Sequence, residues 1–367
     1  MCCQQSTSWS KFKYEENTHT EPSKEQLIMD ANDRIGDVVL EVKDLKTYFV
    51  TKWGVVKAVD GVNFNLRRGE TLGIVGESGS GKSVTTLSMM RLVPSPPGHI
   101  VGGEVILEGE NILEIDEKEM ESVRGSRIAM VLQDPMTALN PVFDIEDQVG
   151  EALQIHEGLK GSGLKDTVID MLRKVRIPAP DVRMKDYPHQ LSGGMRQRVV
   201  GAIGISCNPA VLIADEPTTS LDATIQAQYL RLLRELQEST GVGIIFITHD
   251  FGIVAKMCDR VAVMYAGKVV EQGDVRQIFN NPQHPYTEAL INSVPKMEEN
   301  VERLYSIPGN PPPLWDLKEE CSFADRCPYV FDKCREAYPP VYETADGQTA
   351  ACWRLEETSK ATFSAAN

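Results

Sequence analysis

One segment of the sequence has the residue types and the spacing needed to bind phosphate groups. Residues 76–83 read GESGSGKS and match the pattern G-x-x-x-x-G-K-[ST] at every fixed position. Glycines let successive backbone N–H groups turn inward around phosphates, and the start of the following helix adds a favourable field. Lys82 supplies a positive charge for the β- and γ-phosphates, and the Ser83 hydroxyl can bind Mg²⁺. The predicted phosphate site consists of Gly76, Glu77, Ser78, Gly79, Ser80, Gly81, Lys82, Ser83 and Val84.

Two adjacent carboxylates extend this predicted chemistry to hydrolysis. Asp215 ends the apolar segment VLIAD (211–215), and Glu216 follows it immediately. A carboxylate at a strand end beside a phosphate loop is placed to hold Mg²⁺, directly or through water. The next carboxylate can then orient and deprotonate the attacking water. The alternative, a solvated acidic pair at a strand end, is disfavoured by the presence of the phosphate loop.

Buried strands that alternate with helices are predicted to position these residues. Helical periodicity covers 135–200 and 221–239, and alternating apolar residues predict a hairpin at 260–273. This order is typical of an α/β fold with a largely parallel sheet covered on both faces. The predicted buried strands are TLGIV (71–75), RIAMVL (127–132), VLIAD (211–215) and IIFIT (244–248).

Composition changes along the chain suggest three regions. Residues 1–36 are polar and without periodicity, and we predict that they are disordered. The main domain is predicted over residues 37–282, with a helical subdomain at about 135–200. Residues 283–367 are rich in proline and then in cysteine, and they are predicted to form a small C-terminal domain.

Four further motifs, taken with the phosphate loop and the acidic pair, resemble the set found in ABC ATPases. The segment LSGGMRQR (191–198) resembles the signature motif, and Gln133 in VLQDP resembles the Q-loop. Residues 219–222, TSLD, resemble the D-loop, and His249 after IIFIT resembles the switch histidine. The resemblance covers roughly residues 38–295. It implies a P-loop NTPase ABC nucleotide-binding domain with a mostly parallel core sheet, an antiparallel β subdomain and a helical subdomain.

The same resemblance implies a dimeric mechanism of ATP hydrolysis. Two subunits would stack head to tail, with ATP between the phosphate loop of one and residues 192–194 of the other. The implied nucleotide contacts outside the phosphate loop are Ser192, Gly193, Gly194, Asp215, Asp222 and Gln133. The implied Mg²⁺ ligands are Ser83, Gln133 and Asp215. The implied catalytic residues are Lys82, Gln133, Glu216 as the base and His249 at the γ-phosphate.

An aromatic residue upstream of the phosphate loop is expected to stack on the adenine. Trp53 is the first choice, because its distance from Gly69 and Glu70 suits the family. Tyr48 and Phe49 stay open as alternatives, since the loop between them and residue 54 varies in length. Packing on a strand is an equally good explanation of these aromatic side chains.

Several segments resemble the oligopeptide and dipeptide uptake branch of the family, above all QHPYTEALINSVP (283–295). That branch also contains nickel, glutathione and oligosaccharide importers, so a non-peptide solute stays an alternative. Four cysteines follow with the spacing C-x5-C-x6-C-x17-C, and the resemblance implies that they hold a [4Fe–4S] cluster. Tetrahedral zinc and unligated cysteines are the alternatives, because spacing alone does not separate them. These residues are Cys321, Cys327, Cys334 and Cys352.

The chain's charge and hydropathy narrow the choice of partners. A net charge of −15 argues against sequence-independent nucleic-acid binding, so an ABC ATPase that acts on nucleic acid is the disfavoured alternative. No segment has the length and apolarity of a membrane span, and the first residues lack a secretory apolar core. We therefore expect a peripheral protein on the cytoplasmic face of the membrane. The resemblance implies a related second ATPase, two permease subunits and an extracytoplasmic solute-binding protein as partners.

Overall fold

Five short, mostly apolar strands lie side by side and form the parallel part of the larger of two sheets. The computed structural model describes residues 35–132, 135–219, 221–294, 305–356 and 360–361. The strands are β1 (Val38–Thr51), β2 (Gly54–Arg67), β3 (Thr71–Val75), β4 (Gly98–Leu107), β5 (Glu110–Asn111), β6 (Ile128–Val131), β7 (Val211–Asp215), β8 (Gly243–Ile247), β9 (Arg260–Tyr265), β10 (Lys268–Asp274), β11 (Tyr342–Glu343), β12 (Thr349–Ala350) and β13 (Lys360–Ala361). The helices are α1 (Lys82–Met89), α2 (Glu117–Val123), α3 (Pro135–Ala138), α4 (Ile145–His156), α5 (Gly161–Lys174), α6 (Pro180–Arg183), α7 (Gly193–Ile205), α8 (Ala223–Thr240), α9 (Phe251–Met257), α10 (Val275–Asn280), α11 (Pro285–Asn292) and α12 (Asp332–Glu336).

The larger sheet has the order β13-β11-β12-β10-β9-β3-β8-β7-β6. Strands β6, β7, β8, β3 and β9 pair in parallel, and every residue of β3, β7 and β8 is buried. Parallel sheets are normally buried on both faces. Each fully buried Val, Leu or Ile side chain contributes about 1.5–3 kcal/mol to the free energy of folding. The predicted α/β core with a largely parallel sheet is therefore confirmed, as is the hairpin that β9 and β10 form.

A second, antiparallel sheet with the order β2-β1-β4-β5 lies beside this core. Its apolar face packs with α1 and with one side of the parallel strands, in a cluster that includes Leu40, Val59, Met89 and Ile213. The backbone N–H of Asp60 in β2 donates to the carbonyl of Gly267, which joins this sheet to the β9–β10 turn. The second sheet therefore brings β2 next to the phosphate loop.

The helices α3 to α7 form a separate layer against the edge of the larger sheet. Helix α5 buries Val168, Met171 and Leu172 on one face and leaves its charged face in solvent, which is the pattern of an amphipathic surface helix. Asp144 caps α4 by accepting a hydrogen bond from the N–H of Asp147. These helices occupy the range predicted for a helical subdomain.

The C-terminal region extends the larger sheet at its other edge. Strand β12 pairs with β10, placing Ala350 opposite Glu271, and β11 and β13 continue the sheet outward. From residue 35 onward the described residues belong to one compact unit. The boundary at 282/283 stays a prediction, and the region that follows it shares a sheet with the core. Within the described ranges, no helix combines the length and the apolarity needed to cross a membrane.

Candidate active site

The phosphate loop connects the buried strand β3 to helix α1, as the sequence predicts. Gly76 has a φ of +153° and Gly81 a φ of +105°, and both glycines lie against backbone from other elements. A Cβ atom at Gly76 would lie 2.2 Å from the carbonyl oxygen of Met264, and one at Gly81 would lie 2.3 Å from that of Ala58. Only glycine fits at these two positions, so the loop is held in one shape by β2 and β9.

Lys82 lies buried at the start of α1, inside this loop. Its Nζ donates to the carbonyl oxygens of Gly76 at 2.9 Å and Glu77 at 3.0 Å. Burial lowers the pKa of Lys82, and the nearby carboxylates of Glu216 and Asp215 oppose that change. An ammonium group held by two neutral carbonyls is placed to donate to phosphate oxygens in their stead.

Asp215 and Ser83, both predicted as Mg²⁺ ligands, contact each other. Asp215 ends β7, and its carboxylate hydrogen-bonds with the Ser83 hydroxyl. Burial raises the pKa of Asp215, while the bond to Ser83 and the charge of Lys82 act in the opposite direction. A hydroxyl and a carboxylate oxygen beside a phosphate site are the hard oxygen donors that Mg²⁺ prefers, so these residues fit the ion.

Glu216 and His249 meet at the ends of two neighbouring strands. The Nδ1 of His249 lies 3.3 Å from Oε1 of Glu216, and the Thr219 hydroxyl donates to Oε2 of Glu216 at 3.1 Å. Glu216 adopts a φ of +45°, and its N–H donates to the carbonyl of Ile247. The structure thus brings together the predicted base and the predicted switch histidine. Sequence reasoning missed the contact of Thr219 with the base.

The signature residues occupy the exposed start of helix α7. Ser192 caps this helix by accepting a hydrogen bond from the N–H of Met195 at 3.3 Å. Ser192 and Gly193 are exposed, and a Cβ atom at Gly193 would meet no atom within 4 Å. At Gly194 the corresponding Cβ would lie 2.7 Å from Cγ2 of Ile225. An open serine and glycine at a helix N-terminus can receive an anion from outside the subunit.

Of the aromatic candidates for adenine stacking, Trp53 has the most accessible ring. Its exposed fraction is 71%, and the Nζ of Lys52 lies 4.7 Å from the ring centroid. Tyr48 instead donates its hydroxyl to Asp60 at 2.7 Å, and the Phe49 ring lies against Gly98. Trp53 therefore remains the best candidate among the three.

Of the remaining predicted site residues, Gln133 and Asp222, the structure describes Asp222. Gln133 lies outside the described residues, so its role stays a prediction. Asp222 caps helix α8, because its carboxylate accepts hydrogen bonds from the N–H groups of Thr224 and Ile225, each at 3.0 Å. A nucleotide contact by Asp222 also stays a prediction.

The four C-terminal cysteines line one small cavity, together with residues that include His284 and Phe323. None of the four forms a disulfide with another described cysteine. Three of the sulfurs receive a backbone N–H from the residue two positions later: Cys321 from Phe323, Cys327 from Tyr329, and Cys352 from Arg354. Among the described residues, however, no group of three His, Cys, Asp or Glu side chains is arranged to hold a metal ion.

Sequence and structure comparisons agree with this geometry. Residues 59–219 match the model of the ABC transporter family, and residues 270–334 match that of the oligopeptide/dipeptide transporter C-terminal region. The chain is 51% identical over 322 residues to a probable peptide ABC transporter ATP-binding protein of Sinorhizobium fredii, covering 88% of this chain and 96% of that protein. It is 49% identical over 318 residues to the oligopeptide transport ATP-binding protein OppD of Bacillus subtilis, covering 86% and 89%.

The fold of this chain is also similar to that of solved ATP-binding cassettes. A dimeric ATP-binding cassette in a post-hydrolysis state, bound to ADP and Pi, superposes with a TM-score of 0.58 at 26% identity, covering 65% of this chain and 99% of that one. The fold and the site together define an ATP-hydrolysing cassette. The chain belongs to the ATP-binding subunits of ABC transporters, in the group that carries the oligopeptide/dipeptide transporter C-terminal region. The family resemblance inferred from the sequence motifs is thus confirmed.

Proposed function

We propose that this chain binds ATP with Mg²⁺ and hydrolyses the ATP to energise import of di- or oligopeptides through an ABC transporter. The observation that carries the proposal is the contact of Glu216 with His249, beside the buried Lys82 and the Ser83–Asp215 pair. The names of the relatives from Sinorhizobium fredii and Bacillus subtilis support peptides as the solute class.

Each residue around the phosphate loop receives a specific task in this proposal. Lys82 leaves the carbonyls of Gly76 and Glu77 and binds the β- and γ-phosphates. Glu216 orients the attacking water and accepts its proton, and His249 donates a hydrogen bond to the γ-phosphate. Ser83 and Asp215 would hold Mg²⁺, with Gln133 as a further proposed ligand, and the ion would supply positive charge beside the phosphates.

The exposed signature residues complete the site of a second subunit. Ser192, Gly193 and Gly194 offer a hydroxyl and helix N-terminal N–H groups to the γ-phosphate bound by the partner, with Asp222 next to that interface. ATP then joins the two subunits, and its hydrolysis lets them part. A related second ATPase is the proposed partner. The dimeric state of the similar cassette supports the pairing of two subunits.

The permease subunits are proposed to dock on the chain segments that flank helix α3. Leu132, Val142 and Phe143 lie on either side of helix α3 and are 47%, 71% and 50% exposed. Large exposed apolar side chains are typical of a protein contact where they form a patch. A cytoplasmic loop of the permease is the proposed occupant, which places this chain at the inner face of the membrane and couples it to an extracytoplasmic solute-binding protein.

We also propose that Cys321, Cys327, Cys334 and Cys352 hold a [4Fe–4S] cluster. Their shared cavity and the N–H groups directed at three of the sulfurs support thiolate ligation, because such hydrogen bonds stabilise the charged sulfur. The cluster would crosslink a region too small to build its own core.

Transport assays on the assembled complex test the main proposal. Wild-type complex in proteoliposomes should release phosphate and accumulate a labelled peptide only when ATP and the solute-binding protein are present. Glu216→Gln should lower phosphate release by about 100-fold or more and keep ATP binding, because only the base is lost. If hydrolysis does not depend on peptide and the complex takes up a nickel chelate or an oligosaccharide, the peptide assignment is wrong. The assignment of ATPase activity would then still hold.

A further inference from the structure

A partly buried ion pair joins the phosphate loop to the cysteine-rich segment. Arg326 donates to both carboxylate oxygens of Glu77, from Nη1 at 2.6 Å and from Nη2 at 2.9 Å. The Arg326 side chain is only 4% exposed, whereas that of Glu77 is 28% exposed. A bidentate arginine–carboxylate pair fixes both distance and orientation, and burial protects it from screening by salt. The two residues are 249 positions apart in the sequence.

Glu77 is also one of the two loop residues whose carbonyls accept hydrogen bonds from Lys82, the lysine proposed to bind phosphate. Its carbonyl accepts from Nζ of Lys82 at 3.0 Å and from the N–H of Ser80 at 3.2 Å. Its own N–H donates to the hydroxyl of Tyr286 in helix α11 at 2.8 Å. Side chain, carbonyl and N–H of one residue are therefore all engaged. The C-terminal region supplies two of these partners, Arg326 and Tyr286.

Arg326 is itself held firmly, so it can act as a fixed support. Its Nε donates to the carbonyl of Pro308 at 2.9 Å, and its Nη1 also reaches the hydroxyl of Tyr265 at 3.2 Å. The rings of Tyr265, Tyr286 and Phe323 pack against one another around it, with centroids 4.5 to 5.4 Å apart. Arg326 lies within a short 3₁₀ turn, Ala324–Arg326, that Cys321 and Cys327 flank.

We propose that Arg326 is a positioning residue for nucleotide binding, which fixes the phosphate loop through Glu77 and makes ATP affinity depend on the cysteine-rich segment. The inference rests on the proposed function, since it assumes that residues 76–84 bind ATP. Arg326 does not touch the reacting atoms. Arg326 orients Glu77, and the Glu77 carbonyl helps to set the position of Lys82. Loss of the Arg326 side chain would therefore leave the phosphate loop less well ordered in the ATP-free protein, and ordering it would lower the affinity for ATP.

The competing explanation is that the pair only fastens the C-terminal region to the core. Both explanations predict lower stability without Arg326, but only the positioning role predicts weaker ATP binding with normal turnover at saturation. Arg335 offers a matched control, because it pairs with Asp325 at 2.7 Å in the same region, is largely exposed, and does not contact Glu77.

The test measures the ATP dissociation constant and kcat of the full-length chain, purified anaerobically, by calorimetry and phosphate release. Arg326→Ala should raise the dissociation constant about tenfold and leave kcat within about twofold. Glu77→Ala should raise the dissociation constant by a similar factor. The double variant should bind ATP no more weakly than the weaker single variant, because the two residues act as one pair. Arg326→Lys should fall between, since lysine cannot donate in the bidentate manner. Arg335→Ala should bind ATP as wild type does.

Two failures are distinguishable in this design. If the wild-type chain binds no ATP, the proposed function fails, and the inference fails with it. If wild type binds ATP and Arg326→Ala binds it within about twofold of wild type, the positioning role is wrong and the pair is only structural. If Arg326→Ala does not fold, Arg326→Lys and Glu77→Ala take its place, and the same twofold limit applies to them. Additive effects of the single variants would overturn it as well.

Discussion

Among single residues, Glu216 has side-chain contacts that its sequence motif does not predict. Glu216 is held by His249 on one carboxylate oxygen and by Thr219 on the other. A base works best when its lone pair already points to the water, because reorientation then costs nothing during the reaction. We infer that Thr219 orients the base.

Replacing Thr219 by valine tests this role, because valine keeps the shape and removes the hydroxyl. A hydrogen bond to a charged group contributes about 1.5–3 kcal/mol, and solvent exposure of Thr219 places the expected effect at the low end. We expect kcat for ATP hydrolysis to fall about tenfold with the KM for ATP unchanged. Thr219→Ser, which restores the donor, should recover turnover. A valine variant with wild-type kcat would show that Glu216 is oriented by other groups.

At the scale of elements, helix α7 presents two glycines with opposite surroundings. Gly194 is pressed against Ile225, so a larger residue there would disturb the packing of α7 on α8. Gly193 faces open space, so a larger residue there leaves the fold intact. The pair therefore separates the function of the helix start from its packing.

Gly193→Asp should abolish ATP-driven dimerisation and leave ATP binding by the single subunit unchanged. The added carboxylate lies at the helix N-terminus that is proposed to receive the partner's γ-phosphate, and two anions repel there. Light scattering with Glu216→Gln, which retains ATP, measures the dimer. Gly163→Asp is the matched control, since Gly163 in α5 also has no atom within 4 Å of a Cβ position. Dimer formation by Gly193→Asp would exclude α7 from the interface.

The fold of the core and most of the active site could be predicted from the sequence, because the signals are local. The segments 71–75 and 211–215 match β3 and β7 residue for residue, and the hairpin at 260–273 matches β9 and β10 within one residue. Strand β4 was not predicted, because its glycines and the preceding prolines hide the alternation. Strands β11 and β12 have two residues each, too few for any periodicity.

At the scale of the whole molecule, the contacts that sequence reasoning missed join distant parts of the chain. The Arg326–Glu77 pair and the pairing of β12 with β10 depend on how residues 305–356 fold back over the core. No sequence motif predicts such a contact, because neither partner belongs to a local pattern that indicates the other. The C-terminal region therefore contacts the phosphate loop, and we expect changes in this region to alter ATP binding.

Removing one proposed cluster ligand tests this long-range coupling. Cys327→Ser should lose iron and sulfide on chemical analysis and, because Cys327 follows Arg326 directly, should weaken ATP binding about as much as Arg326→Ala does. Combined with Arg326→Ala it should add little, because the effect passes through that side chain. Cys207→Ser is the control, as Cys207 is a free thiol outside the cavity. A Cys327→Ser protein that retains its iron would contradict ligation by this residue. Loss of iron with an unchanged ATP dissociation constant would instead show that the segment keeps Arg326 in place without the cluster.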